Sequence, residues 1–486
     1  MLRRWWSWLG AIMTMVLTVR FVLTRLRPVV LRPTSDATSE LSGSATALGI
    51  RRIIVSDLHL GAGDRMDDFS ADADFAEFVE SFVIGPPTEL ILAGDTFEFL
   101  QVVLPDINDF EWSGRAAARR LETIMTAHPM VMDALATFIS GHGNYITFLV
   151  GNHDFEMHYA TAKSLVRQRL GVTADDERVR FCIRYAGDGI YVEHGNQFEP
   201  WNSFVRFEGI SQPFELVRGT LAVKSVINPL ERSPLPVAPL IDNVKPSSAF
   251  LWHLLSVSNL RDLQVVSFVL RGVMMSIRSM LLPLTYRRSE DVRQSATTVR
   301  HLENQRRLRR AIDSLHRVAD RRHDDDDEIV PPYLMAHIER ESRRQLLREV
   351  REFNVAVLRE MVKLAHTAAH HDTVLFVCGH THMAQSVMIN ERQTYVNVGT
   401  WTDVVTDMTT GRRQQQRCPF LCVQYDAMGE ISYEFLVWRG RDVAPTMWAP
   451  ETVAEVRQER RTQNPVHFAE DGVTITSWKK DEGDSR

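Results

Sequence analysis

Residues 145–154 read YITFLVGNHD, an apolar run that stops at a glycine and hands the chain to three polar residues. Its β-branched and aromatic side chains favour a strand, and its near-continuous apolar character favours one covered on both faces. The glycine permits a sharp turn at the strand's end. The same pattern recurs four times. Residues 52–56 (RIIVS) lead into Asp57-Leu58-His59, and 89–93 (ELILA) into Gly94-Asp95. Residues 189–193 (GIYVE) lead into His194-Gly195-Asn196, and 373–378 (TVLFVC) into Gly379-His380-Thr381-His382. Further strand-like runs lie at 179–184, 385–390, 393–398, 420–425 and 431–437, and helical periodicity fills 72–84 and 116–139. Alternating strands and helices followed by a run of strands predict an α/β domain with stacked sheets. Five of the strands then deliver Asp, His, Asn and Gly to one edge, where open α/β sheets build their sites.

Composition narrows the function classes. The chain has 486 residues, 44% hydrophobic and 24% charged, the balance of a globular protein of two or three folding units. With 56 basic and 62 acidic residues the net charge is −6, so no chain-wide basic field gathers nucleic acid. Four cysteines are too few for a disulfide framework. Cys182, Cys378 and Cys422 lie in strand-like runs and Cys418 precedes one, so all four read as buried small hydrophobes.

The residues at the strand ends suit two neighbouring divalent metals. Imidazole, carboxylate and amide oxygen together favour Mn, Fe, Zn or Co over Ca or Mg. In Asp57-Leu58-His59, alternate residues leaving a strand can face one ion. Asp95 has two oxygens with which to bridge, and Asn152 offers a neutral oxygen that limits the negative charge of the site.

These five blocks, SDLHLG, LAGDTFEF, VGNHDFEM, VEHGNQF and CGHTHM, resemble in type and order the signature of the calcineurin-like metallophosphoesterase superfamily. The resemblance covers 50–200 and 372–437 and implies a four-layer α/β/β/α sandwich with two divalent metal ions. It implies that Asp57, His59 and His382 hold the first metal, that Asn152, His194 and His380 hold the second, and that Asp95 bridges them. It implies that His153 contacts the phosphate and protonates the leaving oxygen, while the metals make water acidic enough to attack phosphorus and clamp the developing charge. GDTFEF and GNHDF are similar to the branch that includes the UDP-2,3-diacylglucosamine pyrophosphohydrolases, although this chain carries His153 where that branch has Arg. Glu98 and Phe99 are placed for supporting or substrate work, with core packing the expectation for the aromatic. His158 lies close enough after Asp154 to be a further candidate for substrate contact.

The remaining stretches suggest a membrane. Residues 5–23 are apolar but for Arg20, with Arg3 and Arg4 before them and Arg25, Arg27 and Arg32 after, and read as an uncleaved anchor. If the run spans, the excess of arginine after it places the main domain in the cytoplasm. The organisation expected is an anchor or signal-like segment at 1–30, a linker at 31–48, the first part of the core at 49–199, a largely helical insertion or cap at 200–371, the second part of the core at 372–440 and a polar tail at 441–486. Within the insertion, 263–284 is an apolar helix carrying Arg271 and Arg278 on one face, either an interfacial helix with Phe268 and Leu270 towards the acyl chains or the core helix of a cap. Residues 287–322 hold eleven arginines against five acids, and 324–328 are all acidic, a pattern that reads as a solvated helix and loop or as an arginine face for anionic lipid or phosphorylated substrate. The expected function is hydrolysis of a phosphodiester or pyrophosphate bond in a lipid- or nucleotide-linked substrate at a membrane surface. A phosphomonoesterase acting on proteins, a nuclease and a metal-bearing scaffold without turnover are the alternatives.

Overall fold

The computed structural model describes residues 32–33, 41–42, 50–199, 201–233, 238, 263–281, 357–402, 404–407, 412–414 and 418–449. The expected anchor at 5–23, the arginine-rich and acidic blocks at 287–328 and the tail after 450 lie outside them. The chain is a mixed α/β structure built on two sheets. In chain order the strands are β1 (Arg51–Val55), β2 (Thr88–Leu92), β3 (Tyr145–Leu149), β4 (Val179–Cys182), β5 (Tyr185–Gly187) and β6 (Ile190–Val192). They continue as β7 (Leu375–Cys378), β8 (Gln385–Met388), β9 (Thr394–Asn397), β10 (Pro419–Tyr425), β11 (Ile431–Val437) and β12 (Thr446–Met447). One sheet has seven strands in the order β12-β11-β10-β1-β2-β3-β4, with β1 to β4 parallel. The other runs β8-β9-β7-β6-β5, with β6, β7 and β9 parallel and the two residues Leu41–Ser42 added at its edge. Each of the ten runs expected from sequence is a strand to within two residues at either end, and β5 and β12 are additions.

Period-two alternation explains why the central strands are apolar on both sides. In β1, Ile53 and Val55 pack with Phe75 and Phe78 of helix α1 (Asp72–Glu80). Ile54 points the other way, into a cluster shared with Ile190, Val192, Leu375, Val377 and Val396 of the second sheet. The opposite face of that sheet, through Tyr191, Phe376 and Tyr395, meets Val357, Met361 and Ala365 of a helix at 357–365. Each such side chain contributes about 1.5–3 kcal/mol when fully buried. All four cysteines are buried and none is in a disulfide, as their apolar surroundings predict.

The periodic stretch 116–139 is two helices, α2 (Gly114–Ala127) and α3 (Pro129–Ser140), where the pattern suggests one. Pro129 has no N–H for the preceding turn, and its ring would clash with the carbonyl four residues back, so the helix restarts there with proline in its first turn. At the break His128 bonds Asp72 through Nδ1 at 2.8 Å and Asp67 through Nε2 at 2.9 Å. This ties the helix pair to the loop that follows the Asp57-Leu58-His59 block. Helix α4 (Ala160–Arg169) packs beside α2.

The ends of the strands away from the polar loops are fastened by a buried ion cluster. Arg52 donates to Glu89 at 3.3 Å, to the Tyr185 hydroxyl at 2.9 Å and to Asp188 at 2.6 Å, joining the two sheets. Removing one member of a buried ion group leaves the others desolvated and uncompensated. Arg52→Ala is therefore expected to lower the free energy of unfolding by about 3–5 kcal/mol, read by urea or thermal denaturation. A loss below about 1 kcal/mol, the level of an exposed pair, would contradict a cluster closed to water.

Within the expected insertion, 218–231 is helical and α5 (Leu263–Leu281) packs upon it. An added Cβ at Gly272 would stand 3.4 Å from Leu230. Phe268 is buried with Val265, whereas Leu270, Arg271, Val273 and Met274 are exposed. The expectation that Phe268 faces outward with Leu270 is thus corrected, because residue 268 lies on the stripe that packs inward. Among the described residues no helix is long and apolar enough to cross a membrane.

Candidate metal centre

The C-terminal ends of β1, β2 and β3 in one sheet and of β6, β7 and β9 in the other open onto a shared edge. Seven of the eight residues singled out from sequence fall there into three groups whose ligand atoms lie within 4.8 Å of one another. They are Asp57 with His59 and His382, Asp95 with His194 and His380, and His59 with Asp95 and His153. Asn152, the eighth, is buried beside His153 and its Oδ1 has no hydrogen-bond partner.

The backbone is bent at these positions. Among the described residues seven non-glycines have positive φ, and five of them are Asp57 (53°), His59 (50°), Asp95 (48°), His380 (68°) and His382 (58°). The left-handed region costs a non-glycine residue about 1–3 kcal/mol and persists only where the surroundings over-determine it. Cross-loop hydrogen bonds supply that restraint: Asp57 N to Gly94 O at 3.1 Å, His59 N to Asp95 O at 2.9 Å and Gly379 N to His194 O at 3.0 Å. Glycine is required at two points. Gly94 has φ 93°, and a Cβ there would lie 2.5 Å from Nδ1 of His194. A Cβ on Gly379 would collide with Ser56 and with Oδ2 of Asp57.

Four of the candidate donors, His194, His59, Asp95 and Asp57, are each aimed by a second contact. His194 places Nδ1 on the carbonyl of Ala93 at 3.0 Å, which turns Nε2 to within 3.0 Å of Asp95 Oδ2. His59 places Nδ1 on Glu98 at 2.8 Å, leaving Nε2 for the cluster. Asp95 Oδ1 accepts from the N–H of His153 at 2.8 Å, and Asp57 Oδ2 from the N–H of His380 at 2.9 Å. Such outer partners fix the orientation of ligating side chains.

The donor set fits metal ions. Nε2 of His59 and Nε2 of His382 stand 3.1 Å apart. Two imidazole nitrogens on one ion at about 2.1 Å, with angles of about 90–110°, are separated by about 3.0–3.4 Å. Asp57 Oδ1 lies 3.3 Å from His382 Nε2 and 3.7 Å from His59 Nε2, and has no hydrogen-bond partner although buried. A buried acceptor without a donor is costly, and a cation would satisfy it.

The electrostatics agree. Burial works against the charge of Asp57 and of Asp95, yet the surrounding histidines together outweigh it, His194 first, joined by His382 and His59 at Asp57 and by His153 and His59 at Asp95, and hold both below the usual carboxylate range. Burial likewise opposes the charge of His194, but Asp95 and Asp57 raise its pKa to about 9. Burial, reinforced by His194, lowers His380 to about 3, leaving it a neutral donor. The carboxylates thus demand positive charge in their midst.

His153 is set differently. Its Nδ1 lies 2.6 Å from Glu98, its side chain is 22% exposed and its ring meets His59 edge-on at 4.7 Å. Glu98 is shared between the two histidines, which realises the supporting role expected of it. Phe99 is buried in the core, also as expected. His158 is not at the site. It is fully buried with Phe155 at 4.8 Å and Phe207 at 6.4 Å, and burial lowers its pKa to about 3.

Sequence reading passed over the loop after β9. The Thr400 hydroxyl donates to the carbonyl of Asp57 at 2.6 Å, and Nδ2 of Asn397 to the carbonyl of Gly379 at 2.6 Å. Trp401 is buried among Phe75 and Phe78 and donates from its indole to Pro419 O at 2.9 Å. The loop therefore props both turns that carry candidate donors. Its sequence, GTW, carries no donor set of its own and gives little local signal. Asp154 is likewise a brace, accepting from Gly151 N at 2.6 Å and Thr96 N at 2.8 Å. No known family profile matches the chain, and no curated protein is similar to it.

Proposed function

We propose that this protein is a dinuclear-metal phosphoesterase of the calcineurin-like type. One observation carries the reading: two three-residue donor groups, Asp57/His59/His382 and Asp95/His194/His380, meet where both sheets end. Three apolar clusters, helix to sheet, sheet to sheet and sheet to helix, support the four-layer α/β/β/α arrangement that goes with it. Asp57, His59 and His382 would hold one ion, Asn152, His194 and His380 the other, and Asp95 both. Two divalent ions there supply Lewis acidity and a water acidic enough to act as nucleophile at neutral pH. His153 keeps Nδ1 on Glu98 and has Nε2 left to deliver a proton to the leaving oxygen. Glu98 holds His59 and His153 in the tautomers these roles need.

The substrate we propose is a phosphodiester or pyrophosphate in a lipid- or nucleotide-linked molecule, met at a membrane surface on the cytoplasmic side. The exposed Leu270, Val273 and Met274 beside Arg271 on α5 support this, since such a face suits an anionic lipid interface. The test is to strip the full chain of metal with a chelator, reload it with Mn²⁺, Fe²⁺, Zn²⁺ or Co²⁺, and assay bis-p-nitrophenyl phosphate, p-nitrophenyl phosphate, single-stranded nucleic acid and a UDP-linked lipid in anionic vesicles. Expected is metal-dependent cleavage of the diester and of the vesicle-borne lipid, lost on chelation. Cleavage of the monoester alone would favour a phosphatase, cleavage of nucleic acid a nuclease, and bound metal without turnover a scaffold.

A further inference from the structure

Two consecutive peptide units in the loop after β2 are gripped at both ends. The N–H groups of Leu100 and Gln101 donate to Oε1 of Glu98 at 3.0 and 3.2 Å. At the other end of the same peptide planes, the carbonyl of Phe99 accepts from Nζ of Lys224 at 3.4 Å, and the carbonyl of Leu100 from Nδ2 of Asn228 at 2.8 Å. The side chain of Gln101 continues the seam, donating to Glu231 at 3.1 Å. Lys224, Asn228 and Glu231 are four and then three residues apart, so they form one stripe along the helix 218–231.

The stripe is closed to water: Lys224 is 2% exposed, and Asn228 and Glu231 are each 1% exposed. Lysine is almost never fully buried unless paired. Here its ammonium lies 5.6 Å over the Trp112 ring, within electrostatic reach of Glu156 and Glu98. The helix also takes π winding over Val223–Ile227, the turn that carries Lys224. Such winding is rare and concentrates at functional sites. A donor on the carbonyl and a carboxylate on the N–H polarise a peptide group in the same direction, so each contact strengthens the other.

We infer that Lys224 and Asn228 are positioning residues: by holding the carbonyls of Phe99 and Leu100 they aim the N–H groups of the same peptide units at Glu98, and so fix the carboxylate that His59 and His153 share. The inference rests on the hydrolase reading above and gives the expected insertion a part in it.

The test uses the full chain with Asn228→Ala, Lys224→Met and Lys224→Arg, each alone and combined with Glu98→Gln. With Mn²⁺ and bis-p-nitrophenyl phosphate, Asn228→Ala and Lys224→Met are expected to lower kcat about tenfold, the scale of a lost outer-shell contact. KM and metal content should stay within about twofold of wild type, as expected when a contact matters only at the transition state. Lys224→Arg should restore most of the rate. In the Glu98→Gln background the same changes should have no further effect, because residues acting through one group are non-additive. Independently of turnover, hydrogen–deuterium exchange of a peptide covering 97–102 should accelerate in the metal-free variants. If Lys224→Met does not fold, having left Glu156 short of a cation, Asn228→Ala carries the test. Unchanged kcat in Asn228→Ala beside an active wild type, or effects that simply add to Glu98→Gln, would overturn this role alone. A wild type without metal-dependent turnover would overturn the hydrolase reading and this role with it.

Discussion

Asp95→Asn is expected to abolish tight binding of at least one metal ion and to lower the rate of diester hydrolysis by about 10³-fold, while the fold persists. The carboxylate is in contact with both sides of the centre. Its Oδ2 lies 3.0 Å from His194 Nε2 and 3.8 Å from His59 Nε2, and it shares one donor group with His194 and His380 and another with His59 and His153. The amide keeps the shape and one oxygen but loses the charge that would hold two cations close. Backbone geometry should survive, because the bond to Asp95 Oδ1 comes from the N–H of His153 and an amide oxygen can accept it. Metal content by plasma emission spectroscopy, circular dichroism and turnover separate the outcomes. Full metal content with wild-type rate in a folded variant would exclude a bridging role.

His153→Ala is expected to keep the metals and lower kcat by about 10²–10⁴-fold, the usual contribution of a general acid. The ring is tethered at Nδ1 by Glu98, leaving the other nitrogen available. The companion change Glu98→Gln tests the tether through pH. Burial disfavours the charged form of His153, but Glu98, followed by Asp95, outweighs it and raises its pKa. A general acid works while protonated, so kcat should be fullest below that raised pKa and fall as pH rises through it. Removing the carboxylate's charge should move this alkaline fall to lower pH. It should also weaken metal binding, since Nδ1 of His59 then meets a neutral amide in place of a carboxylate. A His153→Ala enzyme that loses metal in proportion to rate would make His153 a ligand. A Glu98→Gln profile identical to wild type would remove the tether from the mechanism.

How much of this was legible in the chain follows from the range over which each signal acts. Alternation and β-branched content are local, so the ten strand runs could be read directly. A glycine or proline at a turn is local too, yet Pro129 divides a continuous apolar pattern at a point periodicity alone passes over. The identities of the donors and their position after strands were visible as well. What brings them together is not local: Asp57 and His380 are 323 residues apart and bond directly.

The sequence by itself determined the elements, the two-sided burial of the central strands and the chemistry available at their ends. Tertiary structure alone decided which strands are neighbours. It sets β10 against β1, and it brings β6 and β7 together across the whole insertion. It also decided that Glu98 serves two histidines, that His158 is sealed among phenylalanines and that Phe268 turns inward while Leu270 does not. The bends at Asp57, His59, Asp95, His380 and His382 belong to the same category, because each residue type alone prefers to avoid a positive φ. The cost is borne by hydrogen bonds from loops distant in sequence, and no window of the chain contains both the strained residue and the groups that hold it.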